Sequence, residues 1–143
     1  MNNYPQDLEK STNYIKMKKI INTENAPSPV GPYNQAVLAN SFLFLSGQIA
    51  INPTTKQLVT DDIKKETRQV MTNILAVLQE AGANFTNVVK VSIFMSDMAY
   101  YNDINEVYAE YFDASQAPAR EAVAVKTLPK NVNVEISVTA VLS

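Results

Sequence analysis

The most regular pattern of apolar positions lies between Asp61 and Ala81. Apolar residues recur there at spacings of three and four, as on one face of an α-helix, and most charged residues lie off that face. The end signals agree, because residues 60–62 can supply an N-cap and Gly82 suits the left-handed conformation beyond a helix C-terminus. The sequence therefore predicts a helix over residues 61–81.

A second, shorter helix is predicted near residues 99–112, where apolar positions again follow helical spacing. Its buried stripe comprises Ile104, Val107, Tyr108 and Tyr111. Strands are predicted where apolar, branched and aromatic residues alternate or cluster between turn-forming residues. They cover residues 18–22, 42–50, 88–95, 120–127 and 132–142, with a turn at 128–131 between the last two.

The last two predicted strands have two unlike faces. The core side comprises Val123, Val125, Val132, Val134, Ile136 and Val138. The opposite side comprises Arg120, Ala122, Ala124, Glu135, Ser137 and Thr139. Apart from Arg120, Lys126 and Glu135, the residues of this side are small and nearly uncharged, unlike those of a solvated sheet surface. Because both helices fit on one side of the sheet, we expect another subunit to cover this second face.

Composition indicates a single domain, since 143 residues suffice for one core. Residues 1–16 are polar and lack periodicity, which predicts a flexible tail before a domain over residues 17–143. Organellar targeting by this tail stays open. No apolar run reaches the roughly 20 residues of a membrane span, so we expect a soluble, cytoplasmic protein without a membrane partner. A net charge of -2 and the lack of a basic patch predict no nucleic-acid partner.

The chain contains no Cys, no His and no Trp. Thiol nucleophiles, thiolate or imidazole zinc sites, Ser-His-Asp triads and paired-histidine ribonuclease chemistry therefore lack their essential atoms. No EF-hand-like or glycine-rich phosphate-binding sequence is present, so we expect no metal and no cofactor. An enzyme built from this inventory requires a reactive substrate, or a site that mainly positions and polarises it.

Arg120 and Glu135 are the charged candidates for a site. Arg120 begins a strand on the small-residue face, where a partly buried guanidinium needs an anionic partner. That partner is either a ligand or a residue of an interface salt bridge. If the turn pairs Thr127 with Val132, Glu135 lies opposite Ala124, roughly 13 Å from Arg120. One small ligand between them, or a neighbouring subunit, could still bring both groups to one site.

Four polar or small residues are weaker candidates. Tyr33 follows the rigid Gly31-Pro32 turn, although its local context favours a tyrosine packed under a loop. Ser46 and Gly47 end an apolar strand where a ligand could approach the backbone, or where a β-bulge occurs. Asn105 lies one position off the apolar stripe of the second helix, facing either a ligand or solvent.

The sequence resembles the reactive-intermediate deaminase family, also called the YjgF or endoribonuclease L-PSP family. Short matches occur in order over residues 18–141. They comprise Ala26-Pro27, Gly31-Pro32-Tyr33, Ser46-Gly47-Gln48-Ile49, Ala81-Gly82, Val88-Val89-Lys90, Asp97-Met98, Asn105, Tyr108, Tyr111-Phe112, Pro118-Ala119-Arg120, Leu128-Pro129-Lys130 and Val134-Glu135-Ile136. The chain departs from many bacterial members at Glu121 and Ala122, where a hydroxyl residue and a Cys are frequent.

The resemblance implies a chorismate mutase-like α+β domain, with a mixed sheet carrying two helices on one face. It also implies a homotrimer around a central barrel, with clefts between subunits. The implied reaction is hydrolysis of 2-iminobutanoate or 2-iminopropanoate to a 2-oxo acid and ammonia. Arg120 would bind the substrate carboxylate, and Glu135 would activate water with help from backbone groups near Ala122. Tyr33, Ser46, Gly47 and Asn105 would line the cleft.

Two other functions remain open at this point. The older family name suggests a ribonuclease, which here would need proton transfer by Glu, Asp or Tyr and phosphate binding by few cations. A non-catalytic trimer that binds small ligands would use the same clefts. The sequence does not distinguish binding from catalysis.

Overall fold

A computed structural model describes residues 18–143 as an α+β fold with one mixed sheet. The six strands are β1 (Lys18–Ile21), β2 (Ala36–Ala39), β3 (Phe42–Leu45), β4 (Val88–Met95), β5 (Ala119–Ala124) and β6 (Val134–Val141). The two α-helices are α1 (Ile63–Glu80) and α2 (Tyr101–Tyr108). The strand order is β1-β2-β3-β6-β4-β5. The predicted tail, residues 1–16, lies outside the described residues.

Helix α1 follows the predicted pattern and packs its apolar stripe on the sheet. Asp62 is the N-cap, and its side chain accepts a hydrogen bond from the Lys65 N–H at 2.9 Å. Gly82 has a φ of 80°, which confirms the left-handed position beyond the C-terminus. The predicted helix over 61–81 is therefore confirmed to within two residues at each end.

Helix α2 is shorter than the predicted 99–112 segment. A 3₁₀ turn over Met98–Tyr100 precedes it, and the α-helix ends at Tyr108. The stripe is buried as predicted at Ile104, Val107 and Tyr108. Beyond the helix, Phe112 leaves helical geometry and packs edge-on against Phe85, with 5.3 Å between ring centroids. Tertiary aromatic contacts replace the last turn that periodicity predicted.

The strand predicted over 42–50 ends early, and strand β2 was not predicted. β2 pairs antiparallel with β3, and the connecting Asn40 has a φ of 54°. Asparagine tolerates this conformation in tight hairpin turns. After Leu45 the chain leaves the ladder, and Gln48 forms only an isolated bridge to Ile136. β2 was missed because it is only four residues long and follows the proline-containing loop closely, so its own apolar pattern is too short to indicate a strand.

The predicted hairpin between the last two strands is wrong. β5 pairs parallel with β4, and β6 pairs antiparallel with the other side of β4. Residues 125–133 therefore form a crossover that contains the 3₁₀ turn Pro129–Asn131, rather than a turn between neighbouring strands. β6 also fills the centre of the sheet beside β3.

This topology also corrects the predicted faces of β5. Arg120 is aligned with Val91 and Val138, and Ala122 with Ile93 and Ile136, so Arg120 and Ala122 lie on the helix side of the sheet. Val123 shares its alignment with Phe94 and Glu135 and lies on the opposite face. β5 is short and mostly alanine, so its own pattern contained no strong phase signal.

We call the sheet side without helices the open face. It comprises Lys18, Ile20, Val37, Ala39, Phe42, Phe44, Lys90, Ser92, Phe94, Ala119, Glu121, Val123, Glu135, Ser137, Thr139 and Val141. Phe42 and Phe44 are 48% and 49% exposed, and Val123 is 42% exposed. The second face predicted from the sequence is thus confirmed for β6 and corrected for β5. It is also more apolar than expected, because β3 contributes two phenylalanines.

Candidate functional site

Arg120 is held by side chains from the segment that begins α2. Its Nη1 donates to Asn105 Oδ1 at 2.8 Å, and its Nη2 donates to the Tyr101 hydroxyl oxygen at 3.0 Å. The guanidinium carbon lies 4.8 Å from the centroid of the Tyr108 ring. These contacts hold a flexible cation in one orientation over an aromatic surface.

The partners of Arg120 are neutral. Among residues 18–143, no carboxylate lies within ion-pair distance of its guanidinium. Arg120 therefore has no salt-bridge partner within the described chain, which agrees with the predicted distance from Glu135. A partly buried guanidinium has five N–H donors, and its two neutral acceptors leave most of its charge uncompensated. This arrangement suits binding of an external anion.

Tyr108 forms the floor of the Arg120 site. It is 6% exposed, and its hydroxyl is a buried side-chain oxygen without a hydrogen-bond partner among the described residues. Burial raises the pKa of Tyr108, and the nearby Arg120 charge opposes this rise. A neutral phenol is therefore favoured under the guanidinium.

Glu135 lies on the open face at the edge of a cavity of about 150 Å³. Burial raises the pKa of its carboxyl group above the ordinary 4.5. Its carboxylate accepts no hydrogen bond from any side chain or backbone group within residues 18–143. The cavity is lined by Pro27, Ser28, Val30, Tyr33, Gln35, Gly47, Gln48, Ile49, Ile51, Pro129, Lys130 and Glu135. A carboxyl group of raised pKa at a cavity wall is suited to proton transfer.

Position 47 requires a glycine, because the Glu135 carboxyl group lies where a side chain at position 47 would begin. A Cβ atom at position 47 would lie 2.8 Å from the Glu135 carboxyl carbon and closer still to Oε1. Any side chain here would displace the carboxylate from the cavity wall. The Ser46 hydroxyl is not available to donate to a ligand, because it donates to the Asn34 carbonyl at 2.6 Å. The structure therefore brings Gly47 to the cavity and uses Ser46 to fix the preceding loop.

Tyr33 forms part of the cavity rim and is 49% exposed, so it is not packed under a loop. Its loop is held by Gln35, which is 2% exposed. The Gln35 side chain accepts from the Thr23 N–H at 2.6 Å and donates to the carbonyls of Ala26 and Pro27. The buried Gln35 amide thus holds the loop before Tyr33 in one conformation, in addition to the restriction imposed by its prolines.

The two charged candidates do not meet within one chain. β4 separates their strands, and the registers place them opposite Val91 and Phe94, three residues apart. Two strand spacings and three residues correspond to a Cα separation of about 14 Å. Arg120 also lies on the helix side and Glu135 on the open face. One small ligand could contact both groups only if they came from different copies of the chain.

Ala122 lies on the free edge of the sheet, since β5 is the last strand. The Val125 N–H donates to the Met95 carbonyl on β4 at 2.9 Å. Because backbone groups alternate in direction along a strand, the N–H and C=O of Ala122 point away from β4. They remain available to a ligand or to another chain.

Three contributors were not predicted from the sequence. Tyr101 and Tyr108 support Arg120, whereas the sequence indicated only that Tyr108 lies on the buried stripe of the second helix. Gln35 organises the Tyr33 loop. Only Asn105, an amide beside an apolar stripe, had a local signal, because the other contacts join residues far apart in sequence.

Residues 18–143 contain no group of three or more Asp and Glu side chains arranged to hold a metal ion. Within the same residues, neither helix is long and apolar enough to cross a membrane.

Together, the fold and the site define a class: an α+β domain with a partly buried arginine on its edge strand and a carboxyl group of raised pKa at a separate cavity. Comparison with known proteins shows the family. The family model described as Endoribonuclease L-PSP matches residues 23–142. The RutC family protein of Pyrococcus horikoshii is 52% identical over 124 residues, covering 87% of this chain and 98% of that protein.

Two further comparisons connect the family to small carboxylates. The human 2-iminobutanoate/2-iminopropanoate deaminase is 40% identical over 125 residues, covering 87% of this chain and 90% of that protein. The crystal structure of E. coli TdcF with bound serine has a TM-score of 0.82 and 39% identity, covering 87% of this chain and 99% of that chain. The chain belongs to the endoribonuclease L-PSP family, which includes the reactive-intermediate deaminases.

Proposed function

We propose that this protein hydrolyses 2-imino acids such as 2-iminobutanoate and 2-iminopropanoate to 2-oxo acids and ammonia. The observation that carries the proposal is Arg120, a partly buried guanidinium held by Asn105 and Tyr101 without an anionic partner among the described residues. Family membership and the human deaminase support the reaction class.

Arg120 binds the substrate carboxylate. Its two supporting contacts fix the plane of the guanidinium, so its remaining N–H groups can engage both oxygens of a planar carboxylate. The serine bound to TdcF is itself an amino acid with a carboxylate. Binding at this position orients the adjacent imine carbon without help from a metal.

Glu135 acts on the attacking water. With its pKa raised by burial, its carboxylate accepts a proton as the water oxygen bonds to the imine carbon and the C=N π electrons move to nitrogen. Glu135 then returns that proton to nitrogen. Glu135 next takes the proton of the carbinolamine hydroxyl and passes it to the amine nitrogen as the C=O bond forms and the C–N bond breaks, so imine and water yield oxo acid and ammonia. An imine carbon is already electrophilic, so no nucleophilic side chain is needed.

The cavity beside Glu135 receives the rest of the substrate. Its wall is largely apolar at Pro27, Val30, Ile49 and Ile51. A volume of about 150 Å³ fits a small aliphatic side chain and a water molecule. Tyr33 and Gly47 complete the wall and leave space for the reacting carbon.

The complete site forms between copies of the chain. Arg120 and Glu135 are too far apart within one protomer, and the open face carries exposed Phe42, Phe44 and Val123. Such an apolar surface favours burial against another copy. A closed homotrimer around a barrel of open faces would place Arg120 of one copy near the Glu135 cavity of the next.

The test is to add the purified protein to a threonine dehydratase reaction and follow loss of the imine spectroscopically. We expect the wild-type protein to accelerate loss, and Arg120→Ala to abolish the acceleration while leaving the oligomer intact. Arg68→Ala is the matched control, because Arg68 pairs with Glu110 on the helix surface and should stay active. Imine loss at the uncatalysed rate with wild-type protein would refute the proposal.

Ribonuclease activity has less support from the site. The chain has no histidine, and Arg120 is partly buried and held among neutral side chains rather than within a basic surface. RNA cleavage that survived extensive purification and disappeared with Arg120→Ala would favour the ribonuclease instead.

A further inference from the structure

The hydrogen bonds of Arg120 determine the orientation of its two polar neighbours. A guanidinium only donates, so the atoms facing it must be acceptors. Asn105 therefore turns its carbonyl oxygen toward Nη1, and Tyr101 turns its hydroxyl oxygen toward Nη2. The Asn105 NH₂ group and the Tyr101 hydroxyl proton are then directed elsewhere.

These outward donors have no acceptor within residues 18–143. The Asn105 NH₂ group and the Tyr101 hydroxyl proton make no hydrogen bond there. Tyr101, Asn105 and Arg120 are all only partly buried. The cluster consequently turns its acceptors toward Arg120 and leaves these N–H and O–H donors for a ligand.

We propose that Tyr101 is a substrate-binding residue whose hydroxyl donates to the same carboxylate oxygen that Arg120 Nη2 contacts. The ligand class is a small 2-imino or 2-oxo monocarboxylate, so the inference rests on the proposed function and deepens it. The anion both ion-pairs with Arg120 and accepts the phenol proton that Arg120 has oriented. Tyr101 thereby selects a carboxylate over a neutral group of the same shape, since only the carboxylate accepts from every donor.

Tyr101→Phe removes the hydroxyl and keeps the ring that packs on the core. Tyr100→Phe is the matched control, because Tyr100 precedes it, is also partly buried against the core, and makes no contact with Arg120. Two measurements are made on each protein. One is steady-state hydrolysis of 2-iminobutanoate, and the other is equilibrium binding of 2-oxobutanoate and its neutral amide by calorimetry.

For Tyr101→Phe we expect KM for the imine and Kd for 2-oxobutanoate to rise roughly tenfold, as for loss of a hydrogen bond to a charged group. We expect kcat to change by less than about twofold, because a carboxylate contact is present in both the ground and transition states. Binding of the amide should not change, and Tyr100→Phe should match the wild type in every measurement.

Wild-type affinity for 2-oxobutanoate in Tyr101→Phe would overturn the inference, as would an equal loss for the amide or a lowered kcat with unchanged Kd. These outcomes leave the proposed function standing if the wild-type protein hydrolyses the imine. If it does not, the proposed function fails, and a Tyr101-dependent affinity for the oxo acid would still establish the carboxylate site.

Discussion

At the scale of single residues, Arg120 and Glu135 are partly buried charged groups, and neither has an oppositely charged partner among residues 18–143. Arg120 has only the neutral side chains of Asn105 and Tyr101 as hydrogen-bond partners there. Glu135 responds differently, because burial raises its pKa and favours the neutral form. The burial that raises this pKa costs stability once the carboxyl group ionises, as is common for functional residues.

We predict that Glu135→Gln abolishes imine hydrolysis and raises the free energy of unfolding at neutral pH. The folded-state pKa lies above the unfolded value of about 4.5, so the folded protein binds the Glu135 proton more tightly. Wild-type stability from this group is fully present below pH 4.5 and is lost as pH rises through the folded pKa. The advantage of Glu135→Gln should therefore grow across that window and then level off.

Urea denaturation at a series of pH values and one protein concentration measures this difference. Glu121→Gln is the control on the same open face, because its hydrogen bond with Lys90 lowers the pKa of Glu121. It should show no stabilisation at neutral pH. If the Glu135→Gln variant is no more stable than the wild type at any pH, burial does not raise the pKa of Glu135 and the prediction is wrong.

At the scale of elements, a buried carboxylate joins α1 to the strand that carries Glu135. Glu66 is fully buried and accepts hydrogen bonds from the Asn133 N–H, the Asn133 side-chain amide and the Val134 N–H, at 2.8 Å, 2.8 Å and 3.0 Å. These contacts fix the start of β6 after the crossover. Hydrophobic patterning did not indicate this role, because Glu is common in helices and its position alone does not show which groups it contacts.

We predict that Glu66→Ala lowers the free energy of unfolding by about 3 kcal/mol, since three donors to a charged acceptor lose their partner in a buried place. Urea denaturation at a fixed protein concentration is the measurement. Glu80→Ala is the matched control at the exposed end of the same helix and should change stability little. Equal effects of the two substitutions would contradict a special role for Glu66.

Elements also differ in how far the sequence predicts them. α1 and β6 repeat a strong apolar pattern over many residues, and the structure confirms both. β2 has four residues and β5 six, so neither contains enough alternation to establish its existence or its phase. The wrong hairpin followed from placing sequential strands side by side, a frequent arrangement that the crossover to β6 avoids.

At the scale of the whole molecule, the proposed function places the complete site between copies of the chain. We predict that mixing the inactive variants Arg120→Ala and Glu135→Gln, with unfolding and refolding together, restores activity. Random assembly around a closed ring pairs an intact Arg120 with an intact Glu135 from the neighbouring copy at roughly a quarter of the interfaces. Activity should therefore recover to about a quarter of that of the wild type.

The same variants refolded separately and then mixed serve as the control, because copies that do not exchange cannot form hybrid sites. Sizing in solution should give an oligomer in both preparations. Zero recovery from a co-refolded oligomer would mean that both residues act within one chain, contrary to their separation across β4.

The sequence by itself determined the α+β class, the long helix, the face of β6, the family resemblance and the candidate residues, since each rests on local periodicity or short motifs. Tertiary structure alone decided that β5 lies parallel beside β4, that Arg120 faces α2, and that Tyr101 orients it. These features depend on contacts between residues far apart in the chain, whose energies no local pattern records. Arg120 and Glu135 consequently lie on opposite faces of the sheet, and the site that we propose draws them from two copies of the chain.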